Sequence, residues 1–298
     1  ITRDLRRRPP QKAADIGGKP AQACRYSRGT YFRMYTGLGP NGGGIYTNQY
    51  TLFLDVLFEP GAIDESGWAA LYQTNEVNGN DGDWFVRGTD RAIGISGSYG
   101  GTVEDGEWHR LALVLDTVAG TYTSFIDGVR VQQNTGEGID GRFTLYTIND
   151  GDAEGISLFA DDSAENSAGL VGSAQIRDSA LSGDEVAAFG GPSAGGIPSV
   201  PPCPHAFTCG VDQAAKTVTL RWQKGFGLPG DGFTIRKDGT VLATLPLSGE
   251  TYVDAGLMTG VYVYELSLND RESGCLNLPL TCQAEIVGES FFFEDFEK

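Results

Sequence analysis

The chain has 298 residues, 40% of them hydrophobic, and a formal net charge of −17. That length suits two domains with real cores, and forty-three glycines beside only two methionines and two histidines argue for many short strands and tight turns rather than helices. The charge is uneven: residues 1–33 carry nine Lys/Arg against two Asp/Glu, and the rest is strongly acidic, which excludes nucleic acid and anionic lipid as natural partners.

No run of about 18 apolar residues occurs, so no membrane span is expected. The chain opens on Ile1-Thr2 without a leader pattern, and is expected to be a trimmed piece of a longer product. Tyr50–Phe58 and Gly67–Gln73 read as buried strands, and Trp108–Asp116 alternates as a half-buried one. Thr121–Ile126 and Val129–Val131 flank Asp127-Gly128, a hairpin signal because a type I′ turn needs positive φ at both central residues. One helix is predicted over Ser182–Phe189, with Ser182 as its cap, Glu185 at its third position and Gly190 as its stop.

The Gly/Pro/Ser-rich stretch 192–202 reads as a linker between a first module, 1–191, and a second, 203–288. In the second module Thr217–Trp222, Phe233–Arg236, Val241–Leu245 and Tyr262–Leu268 are strands, and about seven of them make a small sandwich. Cys203, Cys209, Cys275 and Cys282 flank this module in two pairs without zinc spacing. Three pairings exist; the preferred one, Cys209–Cys282 with Cys203–Cys275, staples the first strand to the last and implies an oxidising compartment. Cys24 is left over. The tail 289–298 carries four phenylalanines and could add a strand to an open sheet edge.

Two stretches of the first module resemble the laminin-G-like, concanavalin A-like sandwiches of secreted bacterial proteins: Gly106–Asp116 followed by Phe125–Val131, and the closing Ile176–Gly191. Gly39–Gly44 and Asn80–Phe85 look like the same subgroup, and Asp4–Arg8 would be a first strand. The second module is similar to fibronectin III domains, with Trp222 as its core tryptophan and Leu257–Tyr264 as its Leu…Gly…Tyr corner. The implied fold class is all-β: a concanavalin A-like jelly-roll β-sandwich plus a smaller Ig/fibronectin-III-like β-sandwich.

The same fold hosts glycoside hydrolases, but no strand here carries the pattern Glu-x-Asp-x-x-Glu or a near variant that would set two carboxylates on one strand face for retaining hydrolysis, and the adjacent Asp64 and Glu65 point to opposite faces. His109 and His205 are too isolated for a triad. The chain is therefore expected to be non-catalytic. Calcium, which takes six to eight oxygen ligands, is an expected cofactor on two acidic loops. Its candidate ligands are Asn80, Asp81 and Asp83 on one loop and Asp161 and Asp162 on the other; laminin-G-like domains often bind this ion. Sugars stack on exposed aromatic faces, and the candidates for that are Tyr46, Tyr72, Trp84 and Tyr99, with Trp68, Trp84 and Trp108 also read as core fillers. The resulting expectation is a secreted recognition or adhesion module of a larger protein, whose partner is an extracellular glycan or protein. The alternatives are a structural subunit that self-associates through a basic N-terminal arm (Arg6, Arg7, Arg8) and the aromatic tail, and, last, a glycan-active enzyme.

Overall fold

The computed structural model describes residues 11–12, 15–74, 82–95, 97–136, 138–145, 155–159, 161, 164–225, 231–269, 275 and 278–288. The expected first strand at 4–8, the basic arm and the 289–298 tail lie outside these residues. The chain forms two units, Ile1–Ser199 and Val200–Lys298.

The first unit holds, in chain order, β1 (Gln11–Lys12), β2 (Gln22–Tyr26), β3 (Phe32–Met34), β4 (Gln49–Phe58), β5 (Trp68–Gln73), β6 (Asp83–Arg87), β7 (Ile93–Ile95) and β8 (Ser98–Gly100). It continues with β9 (Trp108–Asp116), β10 (Thr121–Ile126), β11 (Val129–Thr135), β12 (Ile156–Leu158), β13 (Gly169–Arg177) and the helix α1 (Gly183–Ala188). Two antiparallel sheets result, one of order β1-β2-β13-β4-β9-β10-β11 and one of order β3-β12-β5-β6-β7-β8. This is the jelly-roll sandwich expected.

β4 and β9 explain the packing. On β4, Tyr50, Leu52, Leu54, Val56 and Phe58 face the core between the sheets. Phe53 on the opposite face is also fully buried, because it packs with Ala112, Val114 and Phe125 against Val186 and Phe189 at the end of α1. Both faces are covered, so the strand reads as a continuous apolar run rather than an alternation. Each such side chain stabilises the fold by roughly 1.5–3 kcal/mol.

α1 starts as its sequence requires: the Ser182 hydroxyl accepts from the Glu185 backbone N–H, and the Glu185 carboxylate accepts from the Ser182 N–H, a full capping box. Asp127 and Gly128 both have positive φ, 50° and 81°, and join β10 to β11 as a two-residue type I′ turn.

The 192–199 stretch is not a free linker. Arg177 donates to the carbonyls of Pro198 and Ser199, the Ile197 N–H donates to the Ser173 hydroxyl, and Ile197 packs against the cluster formed by Phe53, Val186 and Phe189 with their neighbours. Glycine and proline let the chain lie flat on the outer face of β13, which moves the end of the first unit to Ser199.

The second unit contains β14 (His205–Asp212), β15 (Thr217–Gln223), β16 (Phe233–Lys237), β17 (Thr240–Leu245), β18 (Thr251–Asp254), β19 (Gly260–Leu268) and β20 (Leu280–Ile286). A three-stranded sheet β14-β15-β18 faces a four-stranded sheet β17-β16-β19-β20 across Val218, Leu220, Trp222, Phe233, Ile235 and Tyr264. Cys209 of β14 bonds Cys282 of β20, which staples the first strand to the last, and Cys203, just before β14, bonds Cys275 in the connection that leads into β20. The Tyr262 hydroxyl donates to the Met258 carbonyl four residues upstream. Tyr264 instead turns inward and shares Asp254 with Lys237.

Candidate functional site

The alternation of β6 separates core from surface. Trp84 and Val86 are fully buried and belong to the sandwich core, while Asp83, Phe85 and Arg87 are half-buried on the other face. β5 brings partners to that face. Trp68 lies opposite Arg87, Ala70 opposite Phe85, and Gln73 opposite Asp83. A register shift between Ala70 and Tyr72 lets the consecutive Leu71 and Tyr72 both enter the core and returns Gln73 to the outer face. Phe85 pairs with Gly94, and Gly94 with Tyr99 of β8, so Phe85 and Tyr99 lie in one row across the sheet.

The outer face of the six-stranded sheet thus carries a three-ring aromatic patch. The Trp68 ring is 5.0 Å from that of Tyr99 and 6.4 Å from that of Phe85, centre to centre. Arg87 lays its guanidinium over Tyr99, 4.7 Å from the ring centre. Asp90 fixes it there, with Nε–Oδ1 at 2.9 Å and Nη2–Oδ2 at 2.6 Å. This bonding holds the Asp90 carboxyl below the usual range and raises Arg87 further. Beside the rings runs a polar row in register: Arg33, Ser157, Gln73 and Asp83. Gln73 donates its amide to Asp161 at 2.7 Å, and the Glu165 carbonyl accepts from the Ala70 N–H, so Asp161 and Glu165 border the patch. Burial, helped by the nearby Glu165 and Asp83 carboxylates and opposed by Arg87, pushes the Tyr99 hydroxyl up to about 12.

Of the four aromatic residues expected to bind ligand, the structure puts Tyr99 in this patch. Tyr72 and Trp84 are corrected to core residues, both fully buried. The Tyr72 hydroxyl is bonded to that of Tyr50 at 2.7 Å, and the Trp84 indole N–H donates to Ser124 across the sandwich at 3.1 Å. Polar tips satisfied inside the core leave no face for a sugar. Tyr46 sits elsewhere, on the 39–48 loop. That loop is wired to Asp140, which accepts from the N–H groups of Ile45 and Tyr46 and from the amide of the buried Asn48. A Cβ on Gly44 would lie 2.3 Å from the Asp140 carboxylate, which is why the loop needs glycine there.

Trp68, Phe85 and Arg87 were not among the expected site residues. The signal for Phe85 is present in the sequence: Asp83 and Arg87 share its parity on β6 and mark its face as the solvated one.

Of the calcium candidates, Asp83 and Asp161 come together on either side of Gln73. Asn80, Asp81 and Asp162 lie outside the described residues. Among the described residues no group of three or more His, Cys, Asp or Glu is placed to hold a metal ion.

The two histidines are engaged structurally. His109 Nδ1 is 2.8 Å from Asp127, and its Nε2 accepts from the Glu104 N–H, which fixes a neutral tautomer. His205 Nδ1 meets the Cys203 carbonyl at 3.0 Å. Next to His109, Arg110 and Asp55 form a buried two-point ion pair, and Arg110 also donates to the Phe189 and Gly196 carbonyls.

No protein-family model matches the chain, and no curated protein matches it. Solved structures similar to it include the heptameric SAP-like pentraxin of Limulus polyphemus, 14% identical over 47% of this chain and 68% of that one, with a TM-score of 0.31. Trypanosoma rangeli sialidase is 14% identical over 56% of this chain, at a TM-score of 0.38, and the match spans only 28% of the sialidase. The Ruminococcus gnavus IT-sialidase CBM40, bound to alpha2,3 sialyllactose, is 13% identical over 55% of this chain and 96% of that one, at 0.34. Two disulfides in the second unit place the chain in an oxidising compartment, and among the described residues no helix is long and apolar enough to cross a membrane.

Proposed function

We propose that the first sandwich is a non-catalytic carbohydrate-binding module of an extracellular protein, and that its binding face is the outer side of the six-stranded sheet. The observation that carries this reading is the patch of Trp68, Phe85 and Tyr99 on the face turned away from the core. Apolar sugar faces stack on such rings, and the flanking, half-buried Arg87 and Asp83 supply a donor and an acceptor for hydroxyl groups. Sheet strands hold these groups more rigidly than loops would, which lowers the entropy lost on binding. The absence of catalysis is supported by the engagement of both histidines in structural bonds. Calcium assistance belongs to the same reading: Asp83 and Asp161, joined by Asn80, Asp81 and Asp162, would supply the oxygen-rich set this ion requires.

A glycan array probed with the intact chain, in calcium and in chelator, tests the proposal. Retention of one sugar class is the expected result, stronger in calcium. A folded chain that retains no sugar in either condition would overturn it.

A further inference from the structure

The angles between the rings limit how much of a glycan the face can take. Trp68 meets Phe85 at an interplanar angle of 67° and Tyr99 at 40°, so it shares a plane with neither. Two rings lying side by side in one plane stand about 6.5 Å apart, centre to centre, once their carbon atoms reach van der Waals contact. Trp68 and Tyr99 are 5.0 Å apart and tilted, so their faces partly overlap and cannot both lie open to one ligand. Strand order requires the same lean, because β5 and β8 are separated by β6 and β7. Between Phe85 and Tyr99 in their row lies the buried Gly94. A Cβ there would be 2.0 Å from the Ser98 carbonyl oxygen, so no side chain stands between the rings. The Arg87 guanidinium covers Tyr99 further, 4.7 Å from its centre, and Asp90 fixes it in place. Tyr99 and Phe85 are therefore supports that set the angle of the indole, and Trp68 is the platform.

We infer that this face holds a single sugar residue, stacked on Trp68, whether that residue is free or one unit of a longer chain, and that Tyr99 and Phe85 are positioning residues. The inference rests on the glycan-binding reading and narrows it. A linear polysaccharide lying flat needs successive rings in one plane, since each sugar must find its own aromatic face. Tilts of 40° and 67° deny it a second stacking place beside the first.

The test is titration of the intact chain with cello-, chito- and xylo-oligosaccharides of one to six residues. Within a series that binds, the affinity per molecule should rise no more than the number of equivalent residues does, at most about sixfold, because a single subsite gains only in statistical chances. A rise beyond that factor reveals a second stacking place, which overturns the inference and leaves the glycan face standing. Tyr99→Phe should bind as the wild type does, because the ring and not the hydroxyl supports the indole, whereas Tyr99→Ala should weaken binding roughly tenfold or more. A Tyr99→Phe variant that loses as much as Tyr99→Ala would make Tyr99 a direct contact and overturn its positioning role. If no series binds to the folded chain, the glycan reading itself falls and this inference falls with it.

Discussion

Asp90 holds Arg87 over the ring of Tyr99 by two hydrogen bonds of 2.9 and 2.6 Å. The guanidinium is thereby aimed before any ligand arrives, and its planar fork keeps one edge fixed by the carboxylate. Asp90→Asn should leave the melting temperature nearly unchanged, because exposed ion pairs contribute little to stability. It should weaken glycan binding several-fold, read by titration calorimetry. Equal affinity in the variant would mean that Arg87 is not part of the binding face.

Arg110 and Asp55 are a different kind of pair, 2% and 1% exposed at their side chains. Removing one partner strands a buried charge, so Arg110→Ala should cost about 3–5 kcal/mol in chemical denaturation. Burial pushes the Asp55 carboxyl up, and Arg110 pulls it back down. In the variant that restraint is gone and the folded carboxyl titrates higher than the unfolded one, near 3.9. A group raised in this way stabilises fully below its unfolded value and loses that contribution as pH rises through its folded value. The destabilisation should therefore be smaller at about pH 4–5 than at neutral pH.

Asp140 titrates in the opposite direction. Burial opposes its ionisation, but the bonds from Asn48, Ile45 and Tyr46 outweigh that and hold the carboxyl below its ordinary value. A depressed carboxyl stabilises above its unfolded value and loses that contribution as pH falls through the folded one. Asp140→Asn should lower the melting temperature at neutral pH, and the difference from wild type should close below about pH 3. A difference that persists unchanged in acid would contradict the wiring of the 39–48 loop.

Much of the fold could be read from residue order. The Asp127-Gly128 turn, the Ser182 capping box and the two-pair cysteine pattern each have a local cause, and each appears with the geometry that cause demands. The site was harder. In Asp83-Trp-Phe-Val-Arg87 three consecutive residues are apolar, so period two leaves open which of Trp84 and Phe85 faces inward unless the flanking charges are used. The irregularity on β5 that buries Tyr72 has no sequence signature. The 192–199 stretch reads as a linker because glycine and proline also suit a segment lying flat on a sheet.

The two disulfides of the second unit close loops of 72 and 73 residues. Replacing Cys209 and Cys282 by serine should destabilise that unit by about 2–4 kcal/mol through the freed unfolded chain. The unfolding transition of the first unit should stay in place, which calorimetry can resolve.

The most direct test of the central claim is a glycan array probed side by side with the wild-type chain, Trp68→Ala and Tyr99→Ala. The account predicts that the wild type retains a defined sugar class and that each variant loses at least tenfold in affinity for it while keeping a wild-type circular dichroism spectrum. Variants that bind as well as the wild type would contradict the assignment of the outer sheet face as the binding surface.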